Sequence, residues 1–303
     1  MIDAQAGRDL SAIARPNGRF AMVAIDQRES LRTMIQLTTS ETVTDEVVVA
    51  FKIAVAETLA PHVSAMLFDS EFGYPALRAA REVAPNCGVI VAADRLVQER
   101  GGPVTDTYLD PDLDAETLRQ MGVVAQKILI LWRGDENASE CVARTVTFME
   151  RCRRTGFLGI VEAMVQTPQG AERDSWDRNA AIVEAATALA VSRPDLYKAD
   201  VPFAGRGSSS EITAWSRKVT DAIGTPWVVL SAGVHVDDFP RSVAAACRGG
   251  ASGFLAGRAV WADTVGRDYR RGLETIAGPR LRELIEIVDS DARPWTDAAV
   301  GSG

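Results

Sequence analysis

The sequence predicts a single closed (β/α)8 barrel, and three observations predict it. Short, nearly continuous apolar runs recur along the chain, as expected of parallel strands covered on both faces. Longer amphipathic stretches separate them, and this alternation is sustained eight times over the 303 residues,. No G-x-G-x-x-G opens the first helix, so the main signature of an open doubly wound sheet is missing.

The elements follow in order, most strands being an apolar run closed by a charged or glycine residue. Residues 20–26 form the first strand and 44–59 the first helix; 64–69 and 75–83 are the second pair, 88–94 and 114–122 the third. The fourth to sixth pairs are 126–132 with 138–154, 158–165 with 178–191, and 195–201 with 210–223. The seventh is 227–232 with 236–248, and the eighth 253–256 with 263–276, followed by a last helix near 280–288. No long linker, low-complexity block or composition shift marks a second domain. Residues 1–293 are therefore expected to form one barrel domain, and the small, polar segment 294–303 a flexible tail,.

Composition narrows the function. Hydrophobic residues make up 47% and charged residues 24%, the balance of a soluble globular protein,. A formal net charge of −8 argues against nucleic acid or an anionic membrane surface as partner,. The longest apolar candidate, 47–60, is broken by Lys52 and Glu57 and is too short to span a bilayer,. Asp3 near the start and the lack of an apolar signal core point away from export,. Cys87, Cys141, Cys152 and Cys247 show no CxxC pairing, which fits reduced thiols in a cytoplasm,.

One finer count matters more. Only four of the 33 basic residues are lysines (Lys52, Lys127, Lys198 and Lys218), and the other 29 are arginines. Arginine cannot give up its proton, whereas a desolvated lysine can. In a barrel, chemistry gathers at the C-terminal ends of the strands. Strand one ends Asp26-Gln27-Arg28; strand four carries Lys127, strand five Glu162, and strand six Lys198. Taken singly, each has a plain structural reading: a snorkelling lysine, a buried ion-pair partner, a Lys198–Asp200 pair. A closed barrel has no edge strand, however, and an unpaired buried charge is costly. Three charges converging from adjacent strands are better explained as a site.

Two lysines and a carboxylate in an apolar pocket suit Schiff-base aldol chemistry. An amine must be neutral to attack a ketone, and desolvation and a neighbouring ammonium both favour the neutral form. The resulting iminium is an electron sink for a carbanion on the next carbon, and a carboxyl group shuttles the protons. Zinc-assisted cleavage usually needs clustered histidines. The only two, His62 and His235, lie in or before helices, so neither metal nor other cofactor is expected. Strands seven and eight end in Ser231-Ala232-Gly233 and Ala256-Gly257-Arg258. Small residues there let backbone N–H groups approach an anion, at the usual phosphate position of this fold.

Several segments resemble a known family: Phe20-Ala21-Met22 with Asp26-Gln27-Arg28, Leu131-Trp132-Arg133, Asp195-Leu196-Tyr197-Lys198, and the long run from Ala251-Ser252-Gly253-Phe254 to Gly257-Arg258-Ala259-Val260-Trp261. The chain is similar, from about residue 18 to residue 288, to the class I aldolases that act on tagatose 1,6-bisphosphate and sulfofructose phosphate. The strand-eight run, Phe51-Lys52 through Ala60-Pro61, and Ser64-Ala65 lean toward the sulfosugar branch. The resemblance implies that Lys198 forms the imine with a C2 ketone. It makes Glu162 the acid/base group, and Lys127 a cationic neighbour that eases deprotonation of Lys198 and contacts substrate oxygens. Asp26 and Gln27 would orient hydroxyls; Ser231, Gly233, Gly257 and Arg258 would hold a phosphate. Arg28 is the candidate for a sulfonate at the other end, beside its plain role in a strand-one salt bridge.

The implied partner is a small sugar phosphate, and the implied assembly a homo-oligomer, dimer or tetramer. The implied reaction is reversible cleavage of 6-deoxy-6-sulfofructose 1-phosphate to dihydroxyacetone phosphate and 3-sulfolactaldehyde. The loops at 166–173 and 203–207 depart from the family pattern. The other readings are cleavage of tagatose 1,6-bisphosphate and a non-catalytic sugar-phosphate sensor; a sensor has no need of the three buried charges.

Overall fold

In the computed structural model, which describes residues 8–99, 102–168, 170 and 176–298, the apolar runs become parallel strands. They are β1 (Phe20–Ile25), β2 (Ala65–Phe68), β3 (Gly88–Ala92), then, after a hairpin of β4 (Asp94–Gln98) and β5 (Val104–Leu109), β6 (Val123–Trp132), β7 (Leu158–Val165), β8 (Leu196–Ala199), β9 (Trp227–Val229) and β10 (Gly253–Ala256). The closed order is β1-β10-β9-β8-β7-β6-β3-β2, the (β/α)8 barrel that the alternation predicts,. No helix of the described residues is long and apolar enough to cross a membrane.

Strand alternation explains why chemistry sits at one end. The inward set begins apolar: Phe20, Met22, Ala24, Leu67, Ile90, Ala125, Leu158, Ile160, Leu196, Val228 and Leu255 fill the lumen. Continuing by twos along the strands reaches Asp26 from β1, Asp94 beyond β3, Lys127 on β6, Glu162 on β7 and Lys198 on β8,. The opposite face of each strand packs beneath the helices, with Tyr197, Trp227, Phe254 and Val161 in that outer core.

The seam between β1 and β10 requires glycine. Phe20 pairs with Gly253. At φ +141° a Cβ on residue 253 would lie 1.8 Å from the Phe20 carbonyl oxygen. Gly253→Ala is expected to lower stability by at least about 3 kcal/mol, since backbone strain and a backbone clash add. Urea unfolding measures it, and a loss below about 1 kcal/mol would contradict this account of the seam.

Several helices match their expected spans, including α2 (Asp45–Leu59), α3 (Tyr74–Val83), α5 (Ala138–Thr155), α6 (Arg178–Leu189) and α7 (Ser209–Ile223), but five regions differ. An unexpected α1 (Glu29–Gln36) precedes α2 and buries Leu31 and Ile35, one turn apart,. The short α4 (Ala115–Gln120) follows the equally unexpected hairpin. α8 begins at Phe239, not Val236, because Pro240 suits the first turn,. The helix expected over 263–276 is interrupted. α9 (Arg258–Trp261) gives way to a turn around Gly266, and α10 (Tyr269–Gly272) runs through a π-helical turn (Leu273–Ala277) into α11 (Gly278–Asp291). The wider turn passes Pro279, which has no N–H to donate, without breaking the helix,. Finally, residues 295–298 form α12 (Trp295–Ala298) where a free tail was expected: the Trp295 N–H donates to the Gly18 carbonyl at 2.8 Å and its ring packs on the lower lumen.

Candidate active site

Register alone brings the imine candidate to its acid/base partner. Glu162 on β7 stands opposite Lys198 on β8 in the parallel ladder. The Lys198 Nζ lies 2.8 Å from Glu162 Oε1, while Glu162 Oε2 lies 3.2 Å from Lys127 Nζ. One carboxylate thus spans both amines. Lys198 is 4% exposed and Lys127 2%, so little water screens the set,.

Lys127 has two further partners, Asp26 Oδ2 at 2.9 Å and Asp94 Oδ2 at 3.2 Å. Burial opposes its charge, but Asp26, Asp94 and Glu162 outweigh burial and hold the ammonium well above the ordinary lysine range,. Lys127 is therefore held as a cation. Burial likewise opposes ionisation of Asp26; Lys127, then Lys198 and more weakly Lys52, overcome it and keep the carboxyl far below the usual carboxylate range.

Asp94 was not singled out among the site residues, although it ends an apolar run as Asp26 does. It accepts the Leu129 N–H at 2.8 Å and draws in Arg28, whose Nη2 donates to the Asp94 carbonyl at 2.8 Å. The Arg28 guanidinium is 3.5 Å from the Asp94 carboxylate, so its salt bridge crosses from strand one to the residue after β3. Arg28 Nε and Gln27 Oε1 are buried without a hydrogen-bond partner among the described residues. Both residues line the cavity, which encloses about 130 Å³. Lys198 does not pair with Asp200, which accepts the Val165 N–H at 2.8 Å and meets Arg178 at 3.0 Å. Burial pushes the Asp200 carboxyl up to about 6 against the pull of Arg178.

The cavity wall gathers Asp26, Gln27, Arg28, Lys127, Glu162, Lys198, Ser231, Gly257 and Arg258. Gly233 stands outside that wall, exposed at φ +75° in the turn after Ser231. Gly257 has no room for a side chain: a Cβ would lie 2.7 Å from the Ala24 carbonyl and 2.9 Å from the Gln27 amide nitrogen. Arg258 is exposed on the rim, and Trp261 anchors the same short helix by donating from Nε1 to the Ala24 carbonyl at 3.0 Å.

The β4–β5 hairpin supplies the remaining wall through Leu96, Gln98 and Val104. It is fastened to the rim by Arg133 to the Thr105 carbonyl (2.9 Å), Thr107 to the Leu129 carbonyl (2.6 Å), and Arg144 to Asp106 (2.9 Å). Of the divergent loop at 166–173, residues 169 and 171–173 lie outside the described residues. In the other, Phe203 and Ala204 both take left-handed backbone conformations, and the Phe203 N–H is held by Asn179 Oδ1 at 2.7 Å. Among the described residues no three His, Cys, Asp or Glu side chains are placed to hold a metal ion; Asp26, Asp94 and Glu162 converge on an ammonium instead.

Known aldolases are similar to this chain in sequence and in fold. A tagatose 1,6-diphosphate aldolase of Listeria monocytogenes is 30% identical, over 94% of this chain and 92% of its own. One from Streptococcus agalactiae is 28% identical, over 97% and 98%. A fructose-bisphosphate aldolase from Slackia heliotrinireducens shares the fold with a TM-score of 0.63 at 18% identity, covering 92% of this chain and 88% of that one. A Schiff-base-forming fructose-1,6-bisphosphate aldolase does so with a TM-score of 0.59 at 13% identity, over 91% and 96%. Residues 20–263 match the family described as DeoC/LacD family aldolase, and the chain belongs to that family.

Proposed function

We propose that this enzyme is a Schiff-base aldolase that reversibly cleaves 6-deoxy-6-sulfofructose 1-phosphate into dihydroxyacetone phosphate and 3-sulfolactaldehyde. The observation that carries the chemistry is the chain Lys198–Glu162–Lys127, in which one carboxylate touches the amine that must lose a proton and the cation that must not.

In this reading Glu162 takes a proton from Lys198, whose free amine attacks the C2 carbonyl. Protonation of the resulting hydroxyl through Glu162 expels water and leaves an iminium. Removal of the C4 hydroxyl proton then breaks the C3–C4 bond. Its electron pair flows toward the iminium nitrogen, the aldehyde departs, and an enamine remains. Protonation at C3 and hydrolysis return the amine and release dihydroxyacetone phosphate. Lys127 and Asp26 hold the hydroxyls in line, and Gln27 receives one at its unpartnered amide oxygen. Ser231, Gly233, Gly257 and Arg258 hold the phosphate.

Charge supports the sulfosugar over a bisphosphate. Arg28 reaches Asp94 beyond β3, across the ring from β9, after which Ser231 and Gly233 of the assigned phosphate set lie. There its charge is already shared with Asp94, and one buried Nε–H is left over. Such a half-neutralised guanidinium suits a monoanionic sulfonate better than a phosphate of about two charges. The relatives' names favour tagatose 1,6-bisphosphate as the competing substrate. Initial rates on both compounds decide: kcat/KM for the sulfosugar is expected to exceed that for the bisphosphate by at least about tenfold, or 1.4 kcal/mol. A preference for the bisphosphate overturns the assignment and leaves the imine chemistry standing.

A further inference from the structure

Three of the four lysines are buried, and the reaction just described uses two of them. The third, Lys52, stands on α2 with no exposed surface at all. Its Nζ donates to the Ile25 carbonyl at 2.8 Å and is paired with Asp69. Asp69 follows β2, and its other carboxylate oxygen accepts the N–H groups of Glu71 at 3.0 Å and Phe72 at 2.6 Å. The lysine is thus tethered to a carboxylate that is itself fixed. Its remaining charged neighbours are Asp26 and Arg28, both just beyond β1.

The arrangement is expensive as mere packing. A buried ion pair loses hydration that its Coulomb attraction seldom fully restores, and two apolar side chains of similar volume often serve stability as well. What an apolar pair cannot do is hold a carbonyl. The Ile25 carbonyl belongs to the peptide group that carries the Asp26 nitrogen, so the grip falls on the backbone from which the Asp26 side chain departs. A compact ammonium fits between the ends of β1 and β2, in a chain that otherwise uses arginine almost everywhere,.

We infer that Lys52 is a positioning residue for the reaction, fixing the end of β1 so that the Asp26 carboxylate meets Lys127 in the cavity. It touches no reacting atom and acts through Asp26. The inference rests on the aldolase reading, and its test keeps the two apart.

Lys52→Met and Asp26→Asn are made singly and together, and kcat and KM are measured on the ketose phosphate that the wild type cleaves fastest. Borohydride trapping with dihydroxyacetone phosphate runs in parallel. Lys52→Met is expected to lower kcat about tenfold in the wild type and less than about twofold in the Asp26→Asn background, the pattern of one side chain acting through another. Equal losses in both backgrounds, or no loss in the wild type, overturn the inference. If Lys52→Met does not fold, Asp69→Asn replaces it in the same cycle under the same criteria; it keeps an acceptor for the two N–H groups while loosening the lysine. A wild type that yields no trapped adduct sinks the aldolase reading itself. A trapped wild type with equal losses sinks only the role of Lys52.

Discussion

Lys198→Arg is expected to abolish borohydride trapping with dihydroxyacetone phosphate and to lower kcat by at least about 10⁴-fold, with the fold intact. Arginine keeps the positive charge beside Glu162 but cannot deprotonate to attack a carbonyl. The side chain opens onto the cavity, so there is space for the larger head group. Mass spectrometry after reduction reads the adduct, and circular dichroism reads the fold. An adduct that persists in the variant would identify another nucleophile. Lys127 would be the first to test, and its three carboxylate contacts argue against it.

Glu162→Gln is expected to lower kcat by about 10²- to 10⁴-fold, the usual worth of a positioned acid/base group. The loss differs in kind from that of Lys198→Arg. Lys127 retains Asp26 and Asp94 and stays in place, whereas Lys198 loses the carboxylate 2.8 Å away. The nucleophile survives, so the trapped adduct still forms, only more slowly. Single-turnover trapping separates the two cases. A variant with kcat within about twofold of wild type would remove Glu162 from the proton path.

The barrel strands were legible because each is a run of apolar residues with both faces buried, a pattern that survives without knowledge of the fold. The cluster of Lys127, Glu162 and Lys198 was legible for the converse reason. Lys127, Glu162 and Lys198 are charges inside such runs, where burial demands an explanation. What escaped notice lacked that contrast. In strands β4 and β5 only Asp94 and Thr107 are buried, and the hairpin begins one residue after β3, so Asp94 reads as the end of a strand rather than as the partner of Lys127 and Arg28. The first helix, α1, carries only Leu31 and Ile35 on its buried face and follows directly on the Asp26-Gln27-Arg28 signal. Lys52 stood out by residue type, but its contact with the Ile25 carbonyl depends on how α2 crosses the end of β1, which no spacing along the chain encodes.

The hairpin and the barrel are attached in different ways. Backbone ladders fix the strands that bear Lys127, Glu162 and Lys198, while the hairpin, apart from its own two-stranded pairing, is held to the rim by a few side-chain clasps. Leu96, Gln98 and Val104 can therefore be exchanged, or the segment beyond Asp94 swapped as a cassette, without re-registering the ladder that aligns Lys198 with Glu162. In a laboratory lineage, changes of aldehyde scope should accumulate first in this appended module.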